Sequence, residues 1–364
     1  MKYRRKKRLF SFFSIVSLFI GLISAMLYIA GRKNAFFAEW LVNNVGHPVR
    51  VAMANLTGRF NVSLAEVLIY ISPLIAVFII ASAAKKKNTR ERIKFLISLL
   101  SVLSILWSSY VFTLGMGYFR TYISSRMNIG HTDINEENLY DTLVWLKEES
   151  EALLPEIEFL DSGSSFADIS FDEICEEVCL GYERLNEDFP SLCLEAFDSS
   201  AKPVLASKAL TYLEILGIYT FFTGESNVNV HYPDYTLPMT IAHEFAHQRG
   251  ISRENEANFI AFLVCIRADS PYVRYSGYVN MFEYVASAMA KTNKILLLDT
   301  YDTMDARMYG EMRACTDFYY ANRIEFVGKI SNFFNDNYLK SQGTEGVVSY
   351  GMVVELCVDY YCNE

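Results

Sequence analysis

Three apolar runs, at residues 9–30, 65–84 and 95–118, limit what this chain can become more than anything else in it. Each has about the twenty residues that a helix needs to cross a bilayer. Dense basic clusters flank them: Lys2, Arg4, Arg5, Lys6, Lys7 and Arg8 before the first run, and Lys85, Lys86, Lys87, Arg90, Arg92 and Lys94 between the second and third. A soluble core does not need nearly charge-free runs beside such clusters. The first run is longer than a signal-peptide core and has no convincing cleavage site, so a retained anchor is expected. Cytoplasmic loops carry the excess Lys and Arg. The N-terminus and the 85–94 connection are therefore expected inside, and everything after residue 118 outside the cytoplasm. Segment 31–64 then also lies outside. With Phe36, Phe37, Trp40, Leu41, Val45 and Val49 among few charges, it is expected to rest along the interface as an amphipathic segment. His47, within it, is expected to be structural.

Charge divides the chain the same way. Residues 1–120 hold 17 Lys/Arg against 3 Asp/Glu, while the whole chain holds 33 against 42. The remainder is strongly acidic. The expected organisation is a membrane domain at 1–120 and an extracytoplasmic domain at 121–364, in a multi-pass cell-membrane protein. An acidic exterior repels phosphates, which argues against nucleic acid as a partner. The seven cysteines all follow residue 170. Export permits disulfides, but the odd count and the absence of a CxxC pair define neither a framework nor a cysteine metal site.

The exterior part carries the chemistry. Residues 243–258 read HEFAHQRGISRENEAN and contain HExxH. Residues four apart share a helix face, so His243 and His247 can present both imidazoles to one metal ion. Glu244, beside the first of them, can reach a metal-bound water as general base. Two of only five histidines fall at this spacing. A catalytic zinc needs a third protein ligand and an open position. Gly250 is a plausible helix stop, and Ser252 can cap a following helix whose first turn carries Glu254 and Glu256. Two residues apart on a helix is about 200°, so both cannot face the same ion. Glu254 is the chosen ligand; Glu256 is the runner-up, with an ion pair to Arg249 or Arg253 as its plainer role. Asn258, one turn beyond Glu254, can orient a ligand histidine. Arg253 occupies the slot where a third histidine would follow, and it cannot bind a cation.

ExxAN resembles the ExxAD-type glutamate helix of gluzincin metallopeptidases, with Asn258 standing where that pattern often has Asp. The blocks KPVLASK (202–208), FFTGESNVN (221–229), LPMTIAHEFAHQRG (237–250), ENEANF (254–259) and RYSGY (274–278) resemble an uncharacterised bacterial family of membrane-bound, HExxH-containing proteins, known mainly as a domain of unknown function. The resemblance covers most of the chain. It implies a predicted zinc metallopeptidase and no known substrate.

The expected fold is therefore mainly α: three membrane helices, then a mostly helical, α+β zincin-like domain with a small sheet. Helical periodicity appears at 137–155, 171–187, 253–268, 278–297, 302–325, 326–340 and 346–361. Residues 191–207 read as a loop. Residues 227–232 alternate polar and apolar, as a strand does. By resemblance, 225–231 is assigned as an edge strand that holds an extended substrate, with a plain structural strand equally weighted. Glu225 is more plausibly salt-bridged than a substrate ligand, and His231 is not expected at the metal. The expected activity is zinc-dependent hydrolysis of peptides or proteins at the cell envelope, with Glu244 as base. Tyr275, ahead of Arg274, is the candidate oxyanion donor, although in a chain with 24 tyrosines a packed core role is the more common one. Two other classes compete: a metal-stabilised receptor or envelope assembly protein without catalysis, and a transporter. The second is weakened by spans that lack ionisable residues, apart from Glu66 near a span end.

Overall fold

The computed structural model describes residues 10–194 and 200–363. The basic cluster at 2–8, the first residue of the expected 9–30 span, and 195–199 of the expected loop lie outside the described residues. Five helices open the chain: α1 (Phe12–Lys33), α2 (Ala35–Leu41), α3 (His47–Thr57), α4 (Leu64–Ala84) and α5 (Thr89–Thr113). Helices α1, α4 and α5 are the three long and apolar enough to cross a membrane. Side-chain caps fix where they start. Ser11, Ser63 and Asn88 accept from the backbone of Ser14, Glu66 and Glu91, which satisfies donors that a helix start leaves open. The Asn88 cap draws the charged turn Arg90–Arg92 into α5, so this helix begins earlier than the expected residue 95. It ends at Thr113, where a 3-10 turn, Gly115–Phe119, replaces the rest of the apolar run. Helices α1 and α5 pack closely: a Cβ on Gly21 would lie 2.7 Å from Ser104 Cβ. Such small residues let membrane helices approach each other.

Segment 31–64, expected as an amphipathic stretch at the interface, is helical and buries one side against the rest of the chain. It folds into α2, a π-helical turn (Val42–Gly46) and α3, and Ala38, Leu41, Val42 and Ala54 are buried. Phe36 and Trp40 remain exposed. The physical reason is Arg50. Its buried guanidinium reaches the carbonyls of Val42, Phe112 and Arg249, and so ties the segment to α5 and to the C-terminal part.

The C-terminal part comprises α6 (Ile123–Met127), α7 (Glu136–Leu153), α8 (Phe171–Asp188), β1 (Lys202–Pro203), α9 (Ser207–Tyr212), β2 (Gly217–Thr220) and β3 (Glu225–Val228). Then follow α10 (Thr236–Gln248), α11 (Glu254–Cys265), α12 (Pro271–Thr292), α13 (Lys294–Asp302), α14 (Ala306–Asn322), α15 (Glu325–Ser341) and α16 (Val353–Asn363). The core is centred on α10, α11 and α12, with Phe245, Phe259, Phe262 and Phe282 fully enclosed. Helix α11 is apolar on nearly every face because it is surrounded on nearly every face. The seven cysteines are all free thiols.

The small sheet has the order β1-β3-β2, with β1 parallel and β2 antiparallel to β3. The strand expected at 227–232 lies at 225–228. Asn229 ends it: its amide donates to Ile215 O and Thr211 Oγ1, and its Oδ1 accepts from His231 N. That local bonding competes with the ladder.

The turn between β2 and β3 stands on the membrane helices. Phe221 O accepts from the hydroxyls of Ser109 (2.7 Å) and Thr113 (3.1 Å) in the last turns of α5. Glu225 accepts from the backbone of Leu64 and Ala65 at the start of α4, so this carboxylate caps a helix and does not meet a substrate. Glu66 in turn accepts from Leu205 and Ala206. Glu66, the acid in the first turn of α4, is thus a tie between the two regions.

Candidate metal centre

Helix α10 tolerates Pro238 in its first turn, where no intrahelical N–H bond is lost. It ends in a left-handed turn at Gly250, with φ +88°. Ile251 N bonds back to Ala246 O and Gly250 N to His247 O, both at 3.0 Å. This pair of bonds is a Schellman motif. It reverses the chain so that α11 begins beside the last turn of α10. Ser252 does not cap α11: its hydroxyl donates to Leu114 O at 2.6 Å, and Arg253 occupies the cap position without a side-chain bond. Arg120 adds a bond to Gly250 O at 3.0 Å. The loop between the two helices is therefore clasped by residues from both regions.

The turn brings His243, His247 and Glu254 together. Glu254 Oε2 lies 3.2 Å from His243 Nε2 and 3.5 Å from His247 Nε2. Bonds of about 2.0–2.1 Å to a tetrahedral ion imply donor separations of roughly 3.3 Å. The donor set and its spacing therefore fit zinc. Among the described residues this is the one group of three or more His, Cys, Asp or Glu side chains that could hold a metal ion. The opposite ring nitrogens are also engaged. His247 Nδ1 meets Ile251 O at 2.7 Å, and since a carbonyl only accepts, Nδ1 carries the proton and Nε2 is left as donor to the ion. His243 Nδ1 meets Asn258 Oδ1 at 2.7 Å, while Asn258 Nδ2 donates to Tyr284 Oη at 3.2 Å. Such outer bonds hold ligand histidines in place. Burial acts to raise the Glu254 carboxyl, but the two imidazoles hold it well below its ordinary value. Burial acts against charge on His247, yet Glu254 lifts it to about 9.

Glu244 is fully buried beside them, on the side of β2. Burial pushes its carboxyl above the ordinary range, against the pull of His243 and His247. One oxygen has no hydrogen-bond partner, and the carboxylate accepts from the backbone of Tyr219. Gly217 makes room for it: a Cβ there would lie 2.5 Å from Glu244 Oε1. That requirement for glycine carries no signature in the sequence.

These groups open into a cleft of about 620 Å³. One wall is formed by residues 214–219, the other by α15 through Ser331, Asn335 and Tyr338, and Leu114 and Tyr118 also contribute. Tyr275 does not line the cleft. It is completely buried, packs edge-on against Phe159 and points its hydroxyl at Glu311, 3.5 Å away. Arg274 does not line it either. The reason is that RYSGY lies in the first turns of α12, the helix after the ligand helix, and the inner face of α12 belongs to the core. The phenols that do line the cleft are Tyr118, Tyr219, Tyr284 and Tyr338. The buried Tyr338 hydroxyl makes no hydrogen bond of normal geometry, although Tyr118 and Tyr110 lie near, and the charge of Glu254 acts on it. Sequence reasoning missed Tyr338 because nothing at 325–341 announces a cleft wall.

The remaining candidates have other partners. Glu256 accepts from Arg253 Nη1 at 2.9 Å and from Ile123 N at 3.0 Å. His231 pairs with Thr211 and stacks near Phe318. The edge-strand assignment for 225–231 is corrected: β3 is the central strand, with both edges taken. The strand with an open edge beside Glu244 is β2. Asn229 N donates to Leu216 O, so even-numbered residues turn towards β3. By the alternation of an antiparallel pair, the backbone groups of Gly217 and Tyr219 face outward.

A family model described as "Protein of unknown function (DUF3810)" matches residues 42–358. No curated protein and no solved structure matches the chain. The match crosses the junction at residue 120, and the chain belongs to this family.

Proposed function

We propose that this member of the DUF3810 family is a membrane-anchored, zinc-dependent peptide hydrolase of gluzincin type, with a zincin-like catalytic domain outside the cytoplasm. The observation that carries the reading is the cluster of His243, His247 and Glu254, whose ligand atoms lie within 4.8 Å of one another with Glu254 Oε2 3.2 and 3.5 Å from the two Nε2 atoms, and the buried carboxylate of Glu244 beside it. A purely structural metal site has no use for an additional buried base. The orientation rests on the basic 85–94 connection between α4 and α5, which belongs on the cytoplasmic side.

When bound, zinc would supply Lewis acidity towards the scissile carbonyl and make water more acidic. The chain supplies the rest. His243, His247 and Glu254 hold the ion, with Asn258 and Ile251 O fixing the two rings. Glu244 takes the proton of the attacking water and later passes it to the leaving amine. A carboxyl raised by burial suits both transfers near neutral pH. Tyr338, which lines the cleft within reach of the charge of Glu254, takes the place of Tyr275 as donor to the oxyanion. The outward N–H and carbonyl of Gly217 and the carbonyl of Tyr219 hold an extended substrate by main-chain bonds, the Tyr219 N–H being given to Glu244.

The test uses the purified full chain in detergent micelles, incubated with a mixed peptide library and read by mass spectrometry for new termini. The expected result is cleavage by the wild type and a loss of about 10²–10⁴-fold in Glu244→Gln, with zinc content unchanged. Equal cutting by the variant, or no bound zinc in the wild type, sinks the assignment.

A further inference from the structure

The position of the cleft relative to the membrane helices points to a substrate class. Three connections fix its depth. Leu114, which lines the cleft, is the residue directly after α5. Gln342, just past the end of α15, accepts from the hydroxyls of Tyr28 in α1 (2.9 Å) and Tyr110 in α5 (2.6 Å). The β2–β3 turn sits on the end of α5 through Phe221 and on the start of α4 through Glu225. Both walls of the cleft are thus pinned to the same ends of the apolar helices. Strand β2 runs from Gly217, against Glu244, down to Thr220 and Phe221 at the last turns of α5.

An extended chain on the open edge of β2 pairs best antiparallel. Its N-terminal side then lies at Thr220, next to the bilayer, and its C-terminal side leaves past Gly217. From Phe221 to Gly217 is four residues, roughly 13 Å at about 3.3 Å each. The rim is apolar as well as low: Leu216, Ile218 and Phe334 line the cleft while 39%, 41% and 68% exposed. Such a rim suits residues that adjoin a membrane anchor.

We propose that the cleft acts on polypeptides held in the outer leaflet by an anchor on their N-terminal side, cutting a few residues beyond it. The proposal rests on the hydrolase reading above. The substrate is a segment leaving the membrane, not a free peptide that diffuses in from solution.

The test uses the full chain in lipid nanodiscs and one randomised peptide sequence library in three forms: anchored through an N-terminal apolar helix, anchored through a C-terminal one, and free. Both anchored forms gain the same effective concentration, so only direction separates them. The expected result is cleavage of the N-anchored form roughly tenfold or more above the other two, with cuts clustered about 4–8 residues from the anchor. Glu244→Gln abolishes those cuts. Equal cleavage of both anchored forms, cut sites independent of the anchor, or preference for the free library overturns the proposal while leaving hydrolysis intact. No Glu244-dependent cut in any form overturns the hydrolase reading and this inference together.

Discussion

Two groups of buried acids in this molecule have carboxyls shifted in opposite directions. At the junction of α10 and α11, Glu254 faces two imidazoles that hold its carboxyl well below the ordinary range. Around α12 and α14, Glu311 accepts from Ser165 N at 3.1 and 3.2 Å and from Tyr275 Oη, while Glu283 meets Tyr235 Oη at 3.3 Å. No cationic side chain is bonded to either, and burial pushes both up to about 7. Depth is similar in the two places; the partners differ. Burial alone favours the neutral acid, and only an opposite charge within reach reverses it. The first group is therefore built to hold a cation. The second is a set of neutral hydrogen bonds, and Tyr275 belongs to it.

The sharpest break in this comparison is between Glu254 and its neighbour Glu256. Glu254→Ala should reduce zinc affinity by more than the roughly 10–100-fold that loss of a mere orienting partner costs. Glu256→Ala should keep the zinc and instead lose about 3–5 kcal/mol of stability, because Arg253 and the Ile123 N–H are left behind in a buried site. Zinc stoichiometry and thermal unfolding of both variants measure this. The reverse order would transfer the ligand role to Glu256.

The next test separates the two groups by their phenols. Tyr338→Phe should lower turnover by about 10²–10³-fold at unchanged zinc content, the size of a lost oxyanion donor. Tyr275→Phe should leave turnover near wild type. Comparable losses in both would mean that the effect passes through packing and not through the cleft.

What could be read from the sequence divides along the same line. The membrane helices were legible because hydropathy over a long window is a local property, and their ends shifted most in α5, where the Asn88 cap drew charged residues in at the start and a 3-10 turn replaced the last residues of the apolar run. His243, His247 and Glu254 were nameable because a helix face and one glycine turn relate them within a dozen residues. Tyr275 misled because RYSGY is close to the motif in sequence, yet its helix turns that residue inward. Strand β2 and Tyr338 were invisible: one is four residues long and glycine-led, the other arrives from nearly a hundred residues downstream. Both depend on tertiary placement, which no local pattern encodes. The tie between the regions was equally hidden, since Arg50, Ser109 and Leu114 look like ordinary membrane-flanking residues until their partners are known.

The smallest expected effect concerns the second group alone. Glu283 and Glu311 have an ordinary value of 4.5, raised to about 7 by burial. Between about 4.5 and 7 the unfolded chain has already released protons that the folded chain still holds. The unfolded state therefore binds fewer protons, and stability falls as pH rises through that window. The contribution of the neutral acids is complete below about 4.5 and lost above about 7. At 1.36 kcal/mol per unit, the loss is on the order of 3 kcal/mol for one such acid acting alone, and less than twice that for two that repel each other. Unfolding midpoints of the zinc-loaded chain in micelles, measured from pH 5 to 8, should decline with rising pH. Glu283→Gln combined with Glu311→Gln should flatten the decline, because neither amide titrates. A wild-type slope that survives both substitutions would place the titration elsewhere, and the contrast between the two groups of acids would rest on the Glu254 side alone.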